Sequence, residues 1–224
     1  MNAKLKVGKT KGSPIDYFLV LATPGGAACM GAFIVGFLDG TLRRNCRPGE
    51  SQELQQELFN GHHRTPGLAW QSCIFPNGMI VDLFGPEVGR RHDAYLLSQS
   101  GVNGKLADVQ LGNGTQYRVY GDAAYPITSH VDRGFRGADL TDAQKAYNEA
   151  LSSVRISVEW TFGKIVQIFP FVDYTKNLRL GLQPVAKYYL VAALLTNART
   201  CLYGSLTGFH FDMAAPTLEE YFSV

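Results

Sequence analysis

Little in this sequence is charged, and the charges nearly balance. Asp, Glu, Lys and Arg make up 18% of the 224 residues, and 21 basic against 19 acidic side chains leave a formal charge of +2. That excludes the strongly basic surface with which small nucleic-acid-binding domains hold a polyanion, so any such contact must come from local patches. Cysteine is scarce: Cys29, Cys46, Cys73 and Cys201 stand far apart with no C-x-x-C pair. A zinc knuckle and a dense disulfide framework are therefore not expected, and reduced thiols are. His62, His63 and His92 have no cysteine partners and no H-E-x-x-H helix, so they are not read as zinc ligands. Unbroken apolar runs are also lacking. Lys4, Lys6, Lys9 and Lys11 precede an uncharged stretch from Tyr17 to Leu38 that resembles a membrane or export signal. Pro24-Gly25-Gly26 breaks it into pieces shorter than the roughly 18 residues a spanning helix needs. The other apolar run, Tyr188 to Leu195, covers about two helical turns and reads as a buried helix. No membrane contact is expected, and there is no internal repeat.

What is present is enough apolar material, 46% of residues, for one core in one soluble domain. The chain divides into an N-terminal segment, residues 1–35, without clear periodicity and resembling inserted sequence, a domain over 36–205, and a tail over 206–224. Gly36-Phe37-Leu38-Asp39-Gly40-Thr41 reads as the end of a buried strand whose last residue is acidic, closed by a glycine turn. A polar stretch runs from Arg43 to Arg64. Leu68 to Phe75 and Met79 to Phe84 are strand-like and flank Pro76-Asn77-Gly78, a hairpin signal, so three antiparallel strands are expected. A short helix follows over Ala94 to Gln99, then a Gly- and Asn-rich loop to Thr115. Tyr117 to Gly121 forms a second strand ending in an acid, Asp122. Thr141-Asp142-Ala143-Gln144 has the form of a helix capping box. The apolar residues Tyr147, Leu151, Val154, Val158, Phe162 and Ile165 then recur at steps of three and four. On this helix Asn148, Ser152, Arg155 and Glu159 form a second stripe about 100° from the buried one, while Glu149 faces solvent. A last helix starts near Pro184, and Pro216 to Phe222 reads as a docking segment.

Two acids at strand ends and one on a later helix suit in-line phosphoryl transfer, in which two Mg²⁺ ions stabilise the attacking and leaving oxygens. Magnesium takes oxygen ligands and keeps several waters, so a few carboxylates suffice. A lone strand-terminal Asp is usually a turn residue; the conjunction of three acids is what carries the argument.

Gly36 to Thr41, Arg47-Pro48, Asn60-Gly61-His62, Phe84-Gly85-Pro86, Gly89-Arg90-Arg91-His92-Asp93, Tyr120-Gly121-Asp122-Ala123-Ala124-Tyr125-Pro126, and Val154-Arg155 through Val158-Glu159 to Phe162-Gly163 occur in the order found in Harbinger-type transposases. Over roughly residues 36–205 the chain resembles the DDE endonuclease domain of that superfamily and its domesticated relatives. The resemblance implies an α/β, RNase H-like fold, a mixed sheet flanked by helices with its carboxylates converging at one edge. It implies nicking of DNA and strand transfer by the freed 3′-hydroxyl, a divalent cofactor (Mg²⁺ or Mn²⁺), DNA as partner and the nucleus, or the cytoplasm with import by a partner, as location. Asp39, Asp122 and Glu159 fall on the three acids. Asp93 is either a fourth metal-proximal acid or the N-cap of the helix beginning near Ala94.

Arg43, Arg44, Arg47, Arg64, Arg90 and Arg91 lie near the acids in sequence and are candidates to track a DNA backbone, against the plainer reading of solvated charge. Arg155 is one helical turn before Glu159 and fits either an i, i+4 pair or a phosphate contact. Trp70 and Trp160 are expected in the core rather than on bases. Family members carry a helical DNA-binding region ahead of the catalytic domain, whereas 35 residues precede Gly36 here, so a separate DNA-binding protein or domain is the expected partner. Two other readings compete: a domesticated, non-catalytic domain that binds DNA or a protein, and a metal-dependent phosphoesterase for small molecules.

Overall fold

The structure, a computed structural model, describes residues 5–9, 17–21, 32–49, 51–108, 116–173 and 178–223. Pro24-Gly25-Gly26 and the side chains of Leu151, Val154 and Val158 lie outside the described residues. Strands β1 (Leu5–Lys9) and β2 (Tyr17–Leu21) pair antiparallel, and β2 meets β3 (Ala32–Arg44) at Leu19 and Ile34. The N-terminal segment thus adds strands to the sheet, and β3 begins ahead of Gly36. After β4 (Phe59–Asn60) come β5 (Thr65–Ile74) and β6 (Ile80–Val88), then β7 (Gln116–Gly121) and β8 (Val131–Asp132).

The pairing places β3 in the middle. On one side it runs antiparallel to β5, which runs antiparallel to β6. On the other it runs parallel to β7, which runs parallel to β8. This order, β6-β5-β3-β7-β8, is the mixed sheet of the RNase H-like fold. The three expected antiparallel strands are β3, β5 and β6. The Asn77-Gly78 turn joins the last two, with Gly78 at φ 82° and Met79 N–H donating to Asn77 Oδ1 at 3.1 Å.

One expectation fails: β3 does not end at Asp39. Its pairing with β5 continues through Asp39↔Ser72 to Arg44↔Gly67, while its pairing with β7 stops at Leu38↔Gly121. Antiparallel partnership carries the strand five residues past the acid, and the early end of β7 opens a notch beside Asp39.

Seven helices and one 3₁₀ turn, Pro170–Asp173, are found among the described residues: α1 (Gln52–Leu58), α2 (Asp93–Ser100), α3 (Val102–Asp108), α4 (Asp142–Ile168), α5 (Val185–Tyr203), α6 (Leu206–Phe211) and α7 (Leu218–Phe222). None is long and apolar enough to cross a membrane. Side chains alternate across β3 once the register shift between Ile34 and Gly36 is passed. Phe37 joins a core with Trp70, Phe162, Ile165, Tyr189 and Phe211, which docks α4, α5 and α6 on one face. Leu38 joins a second core with Leu97, Val102, Leu106 and Tyr125, which docks α2 and α3 on the other. The tail contributes as well: Phe211 and Met213 are buried in the first core, and the Asn197 side chain reaches both Ile80 on β6 and Tyr221 on α7.

Helix α4 begins as its sequence implies. Gln144 N–H donates to Thr141 Oγ1 at 3.3 Å, and Thr141 N–H donates to Gln144 Oε1 at 2.9 Å. Thr141→Ala removes a side-chain acceptor from an exposed helix end, so a loss of about 1 kcal/mol in urea unfolding is expected.

Candidate active site

The alternation that sorts Phe37 from Leu38 also sorts the next two residues. Asp39 shares the α4 face with Phe37, and Gly40 opens toward α2 with Leu38. A Cβ at Gly40 would run into the Asp93 carboxylate, so the bare glycine lets that acid lie against β3. Asp122 follows the last residue of β7 and accepts a 2.8 Å hydrogen bond from Ala124 N–H. The charge of Asp122 raises the pKa of both Asp39 and Asp93. Three carboxylates, two on strands or just past one and one on a helix, thus gather around the notch.

Asp39 is the most perturbed of them. Its side chain is 15% exposed. Burial pushes its pKa up to about 6, against the opposing pull of Arg155 and the Gly40 N–H, with Asp122 and Asp93 adding to the rise. For Asp93 burial is again the largest cause, then Asp122, with His92 acting the other way. Asp93 is not the cap of its helix. His92 holds that position without a side-chain cap bond, and Asp93 is the first helical residue. The Tyr125 hydroxyl lies buried beneath the cluster, where burial and the charges of Asp93, Asp39 and Asp122 all raise its pKa.

Glu159 reaches the same cleft from α4. Asp39, Arg155, Glu159 and Phe162 line one hollow of about 640 Å³, and Asp93 and Asp122 line the adjoining one; Gly40, His62 and His63 belong to both. Arg155 stands between Asp39 and Glu159, with Nη1 3.8 Å from Asp39 Oδ1 and Nη2 3.6 Å from Glu159 Oε1. These contacts are partly exposed, and each contributes under about 1 kcal/mol. Burying Phe162 and Ile165 contributes roughly 1.5–3 kcal/mol apiece. Core packing therefore sets where α4 presents Glu159, and Arg155 is free to move. Glu149 is exposed, as its helical phase requires.

The remaining arginines separate by location. Arg43 turns inward over the Tyr189 ring at 5.4 Å, 4.0 Å from Asp173, and also lines the cleft. Arg91 lies over the Tyr95 ring at 4.2 Å and lines the hollow of Asp93 and Asp122. Arg44 is exposed, and with Arg43 its charge helps depress the pKa of His63, after burial and His62. Arg90 pairs with Glu57 at 3.3 Å, Arg47 donates to Gln55 at 2.8 Å beside a separate groove, and Arg64 sits exposed in the turn before β5 at φ 51°. Sequence reasoning missed Tyr125 as a member of the site. The signal was its position three residues after Asp122.

Whether a divalent cation suits these residues can be judged from their chemistry. The donors are carboxylate oxygens, which Mg²⁺ and Mn²⁺ prefer. Asp39 is also desolvated: burial raises it to about 6 against the pull of Arg155. In chemistry the cluster fits such an ion. In geometry, no three His, Cys, Asp or Glu side chains among the described residues stand together closely enough to hold one. Arg155 occupies the space between two of the acids.

No curated protein and no solved structure matches the chain. The model of one family, described as DDE superfamily endonuclease, matches residues 38–197.

Proposed function

Because the chain belongs to the DDE superfamily endonucleases, we propose that its cleft cuts DNA by metal-dependent phosphodiester hydrolysis, with Asp39, Asp122 and Glu159 as the carboxylates that would hold Mg²⁺ or Mn²⁺. Endonucleases of this superfamily typically use divalent metals. The observation that carries the reading is the placement of Asp39 and Glu159 in one hollow and of Asp93 and Asp122 in the adjoining one, with Asp39 buried enough to be raised to about 6. Water oxygen bonds to phosphorus, the P–O3′ bond breaks, and the proton lost by water ends on the departing 3′-oxygen. Bound divalent ions would offset charge on the attacking and leaving oxygens. The chain's own residues position the strand. Arg155, held only by weak pairs, can turn to a phosphate oxygen in two-pronged contact, and His62, His63, Arg44 and Arg91 edge the path. The freed 3′-hydroxyl would then serve in strand transfer, with a separate DNA-binding protein or domain choosing the target.

The second reading, a domesticated domain that binds DNA or protein without cutting, is favoured by one observation: Arg155 fills the gap between Asp39 and Glu159. Supercoiled plasmid with Mg²⁺ or Mn²⁺, run beside a small phosphoester, separates the readings. Nicked circles with an untouched small ester support the nuclease, intact plasmid supports the binding domain, and turnover of the ester alone supports a small-molecule phosphoesterase. Asp93→Asn is expected to reduce nicking as strongly as Asp122→Asn, because its carboxylate faces the cluster instead of its own helix. Nicking at the parent rate would return Asp93 to a structural role.

A further inference from the structure

On the flank of α4 away from the cleft is a second hollow of about 490 Å³, walled by α4, α5 and α6. Arg155, Glu159 and Phe162 line the cleft, whereas Trp160 and Lys164 line this groove, each about 100° further round the helix than its neighbour in sequence or one turn on. Its size lies within the roughly 300–1,000 Å³ of small-ligand pockets, yet its walls are those of a surface channel. Trp160 is 41% exposed, Tyr203 72%, Leu206 73% and Phe209 82%. The expectation that Trp160 belongs to the core therefore fails; Trp70, fully buried, is the core tryptophan. Between the rings lie two cations, Lys164 and Arg199, and among the described residues no carboxylate lines the groove. Lys164 is anchored to Thr200 Oγ1 at 3.2 Å and the Gly204 carbonyl at 3.3 Å, and Arg199 lies over the Tyr203 ring at 5.4 Å. Burial, and then the charge of the neighbouring Arg199, lowers the pKa of Lys164.

Exposed ring faces beside paired, uncompensated cations match a polymer whose repeat is a flat aromatic and an anion. We propose that this groove holds an unpaired DNA strand, its bases against Trp160 and Phe209 and its phosphates against Lys164 and Arg199, while the cleft across α4 acts on the same molecule. The inference rests on the reading of the chain as a DNA-cutting enzyme. Crossing α4, about 10–12 Å wide, takes only a few nucleotides of an extended strand, so the bound stretch is the flank next to the cut. A duplex would hide its base faces and leave the rings uncovered, so the groove should prefer single strands.

Tryptophan fluorescence tests this on the full chain, because Trp70 is sealed in the core and Trp160 is the tryptophan a base can reach. A short oligothymidylate without metal should quench emission saturably, and the same length of duplex should do so far less. Phe209→Ser and Arg199→Ala, both at exposed positions, should each weaken binding roughly tenfold, the first by loss of base stacking and the second by loss of a phosphate contact. Asp39→Asn should leave the quench unchanged. Equal affinity for duplex, no effect of either substitution, or stronger quenching by an acidic, aromatic-containing peptide would overturn the proposal; the last would assign the groove to a protein partner. An unsubstituted chain that shows the quench but leaves plasmid intact would sink the nuclease reading alone, and one that nicks plasmid without any quench would sink this one alone.

Discussion

Asp39→Asn should abolish metal-dependent nicking and, in metal-free buffer at pH 8, make the protein harder to unfold. The first effect follows from the proposed role. Residues that merely orient a metal ligand typically cost 10–100-fold, so loss of a ligand should cost at least about a hundredfold. The second follows from burial. With the folded pKa raised from 3.8 to about 6, the protonated carboxyl is the form that folding tolerates. Its contribution to stability is intact below pH about 4 and is lost as pH rises through 6. The shift, which already includes the opposing pull of Arg155, corresponds to at most roughly 3 kcal/mol, and residual solvent contact of the side chain reduces it. Parent and variant should therefore unfold alike at pH 4 in urea, and the variant should be more stable by about 2 kcal/mol at pH 8. Equal stability at both pH values would mean that Asp39 is not a desolvated acid. Activity lost together with stability would mean that the substitution had damaged the fold.

Glu159→Gln should reduce nicking by a similar factor, at least about a hundredfold, while Glu149→Gln changes it less than about twofold. Both acids lie on α4, and both variants keep nearly the shape of the parent. Only Glu159 lines the cleft and pairs with the arginine that contacts Asp39; Glu149 is exposed elsewhere on the helix. Plasmid nicking at saturating Mn²⁺ reads the difference. Equal rates for the two variants would remove Glu159 from the site and leave the binding-domain reading in place.

The parts of this fold that were legible are those whose cause is local. An Asn-Gly turn, a Thr-x-x-Gln capping box and a strand ending just before Asp122 act through neighbours in sequence, and each is found where its residues stand. Helices α1 and α3 were not foreseen. Seven residues of mixed polarity nucleate poorly alone and depend on tertiary burial of Leu58, or of Val102 and Leu106. The length of β3 was misread because the partner that prolongs it, β5, comes some thirty residues later. The acids singled out from the sequence line two adjoining hollows, Asp39 and Glu159 in one and Asp122 in the other, while Arg155 standing between two of them has no signal in the sequence. Trp160 was misjudged because periodicity tells which face of a helix is buried and not how far the covering elements reach around it.

The join between β3 and β7 also bears on how the molecule comes apart. The ribbon β3-β5-β6 closes short loops, whereas β7 reaches β3 from about eighty residues away, and distant pairings form late because loop closure precedes their reward. Docking β7 is the step that brings Asp122 beside Asp39 and Asp93, so mutual repulsion among the acids is felt after the folding barrier and seldom on the way up. Relieving it should lengthen the life of the native state while leaving the rate of its formation nearly unchanged. A divalent cation bound there would act in the same way, as a clasp on the last-closed seam.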